Sequence, residues 1–189
     1  MLSGDGAAMD PRALRGSLLD PAAAGGAWAA VAVVLADGPG GPSILLIRRA
    51  EREDDPWSGQ VACPGGRIGA DDGSPLDACV REAREEVGLD LRHSGELLGL
   101  LPPRSPANRP EVLVAPFLWL LPREQTMQTS REVVGAWYEP LAGLRDRDHE
   151  VTVSVRGRAL RTRAFRTSDA IVWGFTYRVI VDLLDRLEA

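Results

Sequence analysis

Behind the paired glycines Gly25 and Gly26 the chain turns apolar, and the run "WAAVAVVL" (28 to 35) predicts a strand. The turn cluster "DGPGGP" (37 to 42) leads into "SILLIRR" (43 to 49), its hairpin partner. A charged loop, "EREDDP", comes next. "SGQVACPGG" (58 to 66) then reads as a short strand ending in a glycine turn, and "RIGADDGSP" carries the loop onward. At Ser74 the period changes: Leu76, Val80, Ala83 and Val87 form a single apolar stripe at helical spacing. Ser74 is placed to cap this helix and Pro75 suits its first position. Asp77 completes a Ser-x-x-Asp capping box, and Gly88 marks the end. Beyond it "GELLGLL" (95 to 101), "EVLVAPFLWLL" (111 to 121) and "VVGAWYEPL" (133 to 141) read as strands, with "PLAGLRD" as a short helix. Residues 150 to 165 alternate apolar and polar about Gly157, the pattern of a hairpin. The closing segment has Ser168 as a cap and a helical repeat through Ile171, Phe175, Val179 and Leu183. Strands on both sides of one helix, with a second helix at the end, imply an α+β sandwich in which helices cover a mixed sheet.

With 189 residues, 44% of them hydrophobic, the chain suffices for one well-buried core and is short for two. Residues 27–189 are expected to form that single domain. Residues 1–26, rich in Gly, Ala, Asp and Pro, are expected to be a loosely ordered leader with a short helix around Pro11 to Leu19. The apolar run "AWAAVAVVLA" is too short for a bilayer, which needs about 20 residues. "MLSGDGAAMD" lacks the basic start and apolar middle of a signal peptide. Cys63 and Cys79 are too far apart for a Cys-x-x-Cys motif and make no disulfide framework, so a reduced, cytoplasmic setting follows. A net charge of -5 argues against coating nucleic acid. All 22 basic residues are arginine, which suits forked recognition of phosphate and excludes lysine-based covalent catalysis. The expectation is a cytoplasmic protein with neither a membrane nor a nucleic-acid partner; a homodimer is compatible with it.

One stretch of the helix, "REAREEVGL", poses a problem. Glu82, Glu85 and Glu86 fall within an arc of about 100°, turned away from the apolar stripe. Like charges at that spacing cost a few tenths of a kcal/mol per pair. Three arrangements would offset the cost. Arg81 and Arg84 would neutralise a solvated face, a divalent cation would bind the oxygens, or the acids would dock a basic partner.

The preceding loop favours the cation. Together "PGG" and "REAREEVGL" resemble the Nudix box: Gly, five residues, Glu, seven residues, Arg-Glu-apolar-x-Glu-Glu-x-Gly-apolar. Arg81, Glu82, Ala83, Glu85, Glu86, Gly88 and Leu89 match its second half at every defined position. In the first half Gly73 stands at the place of the early Glu and Arg67 at that of the leading glycine; Asp71 and Asp72 are candidate replacements for the acid. The longer pattern, with "LLIRR" (45 to 49), "GQVACPGG" (59 to 66) and the "WGFTYRVIVDLL" ending, is similar to the coenzyme A pyrophosphatase branch of that superfamily. Cys63 replaces a Phe of the branch, and "DDPWS" (54 to 58) replaces its Leu-Arg-x-His element.

The resemblance implies an α/β/α sandwich with a mixed sheet between helices. It also implies Mg²⁺- or Mn²⁺-dependent hydrolysis of a diphosphate linkage in a nucleoside diphosphate derivative, such as coenzyme A or acyl-coenzyme A. Alternatives are ADP-ribose, a nucleoside triphosphate, or a non-catalytic module that only binds. By position, Glu82 and Glu86 would be the principal metal ligands, and Glu85 a ligand or the group that orients or deprotonates water. Arg81 would hold one of these acids in place, and the Gly66 carbonyl would add a ligand. Glu132 and Glu139 are candidate bases from a later strand, Arg49 and Arg104 candidate phosphate ligands, and Trp57, Trp137 and Tyr138 candidate stacking partners for a base. His93 and His149 have no metal spacing and receive no role.

Overall fold

The strand behind Gly26 becomes β1, Ala29–Ala36, which lies at the centre of a seven-stranded sheet. This computed structural model describes residues 9–38, 40–51, 58–155, 157–167 and 170–189. Along its whole length β1 runs parallel to β6 (Val114–Leu121), from Ala29 opposite Val114 to Ala36 opposite Leu121. β5 (Glu96–Leu100) extends the sheet antiparallel to β6. On the other side the hairpin partner β2 (Ser43–Arg49) meets β1 only at Leu35 with Ile44 and Ala36 with Ser43. The two then part, and the split admits the loop. β3 (Val61–Ala62) pairs with β2, while β4 (Gly65–Arg67) pairs with Ala29, Ala30 and Val31 of β1. Gly65, at φ 155°, sits where a Cβ would lie 2.4 Å from the Ala30 carbonyl oxygen, so no side chain fits. β7 (Val133–Pro140) completes the sheet along the outer edge of β2.

Strand alternation divides the core in two. Val33, Leu35, Ile44 and Leu46 face the terminal helix, where Val179, Ile180, Leu183 and Leu184 meet them. Ala32, Val34, Leu45 and Ile47 face the acidic helix, packing on Ala78, Cys79, Ala83 and Val87. The α+β class and the mixed sheet between helices are therefore both present. The acidic helix is α1, Pro75–Val87: the Asp77 N–H donates to Ser74 Oγ at 3.2 Å, and Gly88 closes the helix at φ 71°. A single turn, α2 (Leu91–Ser94), leads into β5. Residues 150 to 165 do form a hairpin, β8 (Asp148–Val155) and β9 (Arg158–Arg166), turning at Gly157 with φ 75°.

Three expectations change. "PLAGLRD" supplies only a turn followed by one 3₁₀ turn, Arg145–Arg147. The terminal helix α3 starts at Gly174 and runs to Leu187, because Ile171–Trp173 is claimed by strand pairing as β10, against β9. Ser168, expected to cap it, lies outside the described residues. The leader is not loose over residues 9–26. Its 3₁₀ turns Pro11–Ser17 and Pro21–Ala24 are capped by Asp10 and Asp20, and Leu14 and Ala24 are buried against the two cores. Leu19 exchanges backbone hydrogen bonds with Leu100 at the edge of β5. A few apolar side chains seated on the sheet suffice to dock a segment whose composition is that of a linker.

Candidate active site

The split between β1 and β2 is what builds the site. It lets β4 lie over the middle of α1, so that Gly65 and Gly66 touch the acidic face. The Gly65 N–H donates to Glu86 Oε2 at 2.8 Å, and a Cβ on Gly66 would lie 2.4 Å from Glu82 Oε1. Glu86, expected to face away from packing, is buried at 3% exposure. The helical wheel gave its direction correctly, but that direction is covered by β4 and by Arg49 of β2, whose Nη1 lies 3.8 Å from Glu86 Oε1. Glu132 arrives from the chain that follows α1. Ser130 N donates to the Glu86 carbonyl at 3.0 Å, and Ala50 N donates to the Glu132 carbonyl at 2.8 Å, which sets Glu132 beside the end of β2.

Electrostatics follow the burial. Desolvation pushes the Glu86 carboxyl up to about 7, against the Gly65 N–H and Arg49, and the charges of Glu82 and Glu132 add to the push. Desolvation also raises Glu82, with Arg81 opposing and Glu85 and Glu132 reinforcing. Arg81 is the hub of the cluster. It grips Asp72 through Nε at 3.0 Å and Nη2 at 2.9 Å, and it reaches Glu82 at 2.8 Å and Glu85 at 3.0 Å through Nη1. Its bond holds Asp72 below the usual carboxylate range. Asp72 thus takes up the Arg81 ion pair from one residue before Gly73, whereas Asp71 is exposed. The repulsion among Glu82, Glu85 and Glu86 is offset here by Arg81 for the first two and, for the third, only in part by the Gly65 N–H and Arg49.

These groups face a cavity of about 1090 Å³ whose lining includes Glu82, Glu86, Glu132, Arg49, Gly66 and Arg67. Val112, Val114, Val155, Leu160, Trp173 and Phe175 also line it, together with Gln60, Asn108 and Thr176, and Trp28 lies beside Arg67. Among the described residues no three Asp, Glu, His or Cys side chains already converge as a metal cage. The trio is therefore not preformed: Arg81 draws Glu82 and Glu85 toward itself, and the exposed Glu85 does not line the cavity. The donor chemistry still fits a hard divalent cation. Desolvated, mutually repelling carboxylate oxygens open onto one cavity, with a backbone that no side chain shields.

Other expected residues lie elsewhere. Arg104 donates to the Arg178 carbonyl at 3.1 Å and pairs with Asp182 at 3.2 Å, both on α3, and does not line the cavity. Glu139, on β7, is buried against Arg147 of the 3₁₀ turn that follows and does not line the cavity. Trp137 packs into the α3-side core, and the Tyr138 hydroxyl accepts from Gln125 N at 3.2 Å. Trp57 lies outside the described residues. The lining aromatics are Trp28, Trp173 and Phe175 instead. No local signal marked them, since each sits in an apolar run that reads as core. His93 and His149 do not line the cavity. Burial alone pushes the Cys63 thiol up to about 12, and it is the main cause of the same rise for Cys79, so neither is a nucleophile at neutral pH.

The family model of the NUDIX domain matches residues 27–155. The chain belongs to the Nudix hydrolase family. It is 34% identical over 145 residues to the uncharacterized Nudix hydrolase NudL of Enterobacter sp., spanning 75% of this chain and 73% of that protein. It is also 37% identical over 109 residues to an uncharacterized protein of Schizosaccharomyces pombe, 54% of this chain but only 33% of that protein. Among solved structures, the NUDIX domain of Shewanella oneidensis NrtR complexed with ADP ribose superposes with a TM-score of 0.55 at 18% identity. That alignment covers 93% of this Nudix chain and 97% of that one, a likeness of fold. As a Nudix pyrophosphohydrolase the enzyme acts on acid anhydrides of phosphorus. Among its described residues no helix is long and apolar enough to cross a membrane.

Proposed function

We propose that this Nudix hydrolase cleaves the diphosphate linkage of a nucleoside diphosphate derivative with Mg²⁺ or Mn²⁺. Coenzyme A and its acyl derivatives are the first candidates and ADP-ribose the second. The observation that carries this reading is the convergence of Glu82, Glu86 and Glu132 with Arg49 on one cavity that also has apolar and aromatic lining. A nucleotide with a long, partly apolar appendage matches that mixed lining. ADP-ribose enters through the NrtR domain that was solved with it.

Glu82 and Glu86, with the Gly66 carbonyl, would hold the cation, which when bound neutralises anhydride oxygens and lowers the pKa of water. Arg81 keeps Glu82 in place and ties it to Asp72. Glu132 accepts the proton of the attacking water, a role for which it is better placed than the exposed Glu85, which contributes to the cluster through Arg81. Arg49, beside Glu86, binds substrate phosphate. The experiment is release of monophosphate products from coenzyme A, acyl-coenzyme A, ADP-ribose, dinucleoside polyphosphates and nucleoside triphosphates in magnesium or manganese. Turnover is expected on coenzyme A derivatives above the rest. Absence of turnover on every compound would refute the reading.

A further inference from the structure

Arg67 stands where the family pattern has its leading glycine, and its guanidinium carbon lies 4.4 Å from the centroid of the Trp28 ring. Both residues line the cavity. Among the described residues Arg67 has no carboxylate partner. Its backbone is fixed twice: it pairs with Ala29 across β1 and β4, and its carbonyl accepts from Arg81 Nη2 at 3.0 Å. Because Arg81 also holds Glu82, one side chain sets the spacing between Arg67 and the acid cluster. Among the described residues the cationic lining residues are Arg49 and Arg67, and Arg49 lies against Glu86. A guanidinium held over an indole by the ring's negative face keeps N–H donors available to a ligand. Stacking also restrains a side chain that would otherwise lose rotamer freedom on binding.

We propose that Arg67 is a specificity-determining residue that takes a phosphate oxygen pair of the substrate in a forked contact, and that Trp28 is the positioning residue that holds its plane. The proposal rests on the reading of the cavity as a diphosphate site. It is tested by calorimetric titration of α,β-methylene-ADP, whose bridging carbon resists hydrolysis, in magnesium buffer. The proteins are wild type, R67A, R67K, W28L and the double variant.

R67A is expected to weaken binding about tenfold or more, the scale of a charge-assisted bond. R67K should stay close to R67A, because an ammonium presents no fork. W28L should weaken binding severalfold with an unchanged thermal midpoint, and the double variant should be no weaker than R67A. R67A within twofold of wild type, or a wild type that fails to bind the analogue, overturns the proposal; additive losses in the double variant overturn the role of Trp28. A wild type that binds the analogue but turns over no compound in the substrate panel refutes the hydrolytic reading while leaving the Arg67 comparison intact.

Discussion

Glu86 joins two demands in a single side chain: its backbone sits in a helix, and its carboxylate is enclosed at 3% exposure beside two other acids. A desolvated charge is costly unless a partner satisfies it, and here the Gly65 N–H and the more distant Arg49 do so only in part. Glu86→Gln keeps the shape and an acceptor for that N–H while removing the charge. The expected outcome is a loss of turnover of at least about a hundredfold, with the thermal midpoint unchanged or raised. Activity within tenfold of wild type in that variant would refute a cation-binding role. The residue type and helical position of Glu86 were legible in the box pattern. Its burial was not, because a helical wheel assigns directions and says nothing of what lies along them. Arg104 is the converse case: its charge suggested phosphate binding, but a contact 74 residues distant, the Arg178 carbonyl, claims it for α3.

At the scale of elements, α1 is the best-signposted segment, and its end matters as much as its face. Gly88 takes the left-handed conformation, and its N–H closes onto the Ala83 and Arg84 carbonyls. The chain beyond then returns over this end, where Gln128 N donates to the Val87 carbonyl before the chain reaches Glu132 and β7. Gly88→Ala would hold a side chain at φ 71° and press its Cβ to 3.2 Å from Gln128 Cβ. The expected cost is about 1–2 kcal/mol, read as a lowered chemical-denaturation midpoint. Gly16→Ala, with open space around it, should be neutral. Equal midpoints for both variants would show that the turn at Gly88 is not under this constraint. Caps and glycine stops are local, so they could be read ahead of the fold. The start of α3 could not, because Ile171–Trp173 fits a helical repeat and a strand equally well until β9 offers partners.

For the whole molecule, the docked leader is the clearest consequence of assembly. Leu14, at 3% exposure, belongs to the core formed by β1, β2 and α3, and Arg186 of α3 donates to the Ser17 carbonyl at 2.8 Å. Leu14→Ala is expected to cost about 2–5 kcal/mol, visible as a lower thermal midpoint. A variant that melts within a degree of wild type would mean that the segment contributes nothing to stability. The sequence alone determined the strand and helix periods, the α+β class and the acidic cluster on α1, because periodicity, caps and spacing act over a few residues. Only the tertiary structure decided that β1 and β2 part to admit Gly65 and Gly66, that Glu132 rather than Glu139 meets the cluster, and that Trp28 and Phe175 line the cavity. Those outcomes depend on which distant backbone groups pair, and pairing between strands is settled by the competition of all segments for the same hydrogen bonds and the same buried surface.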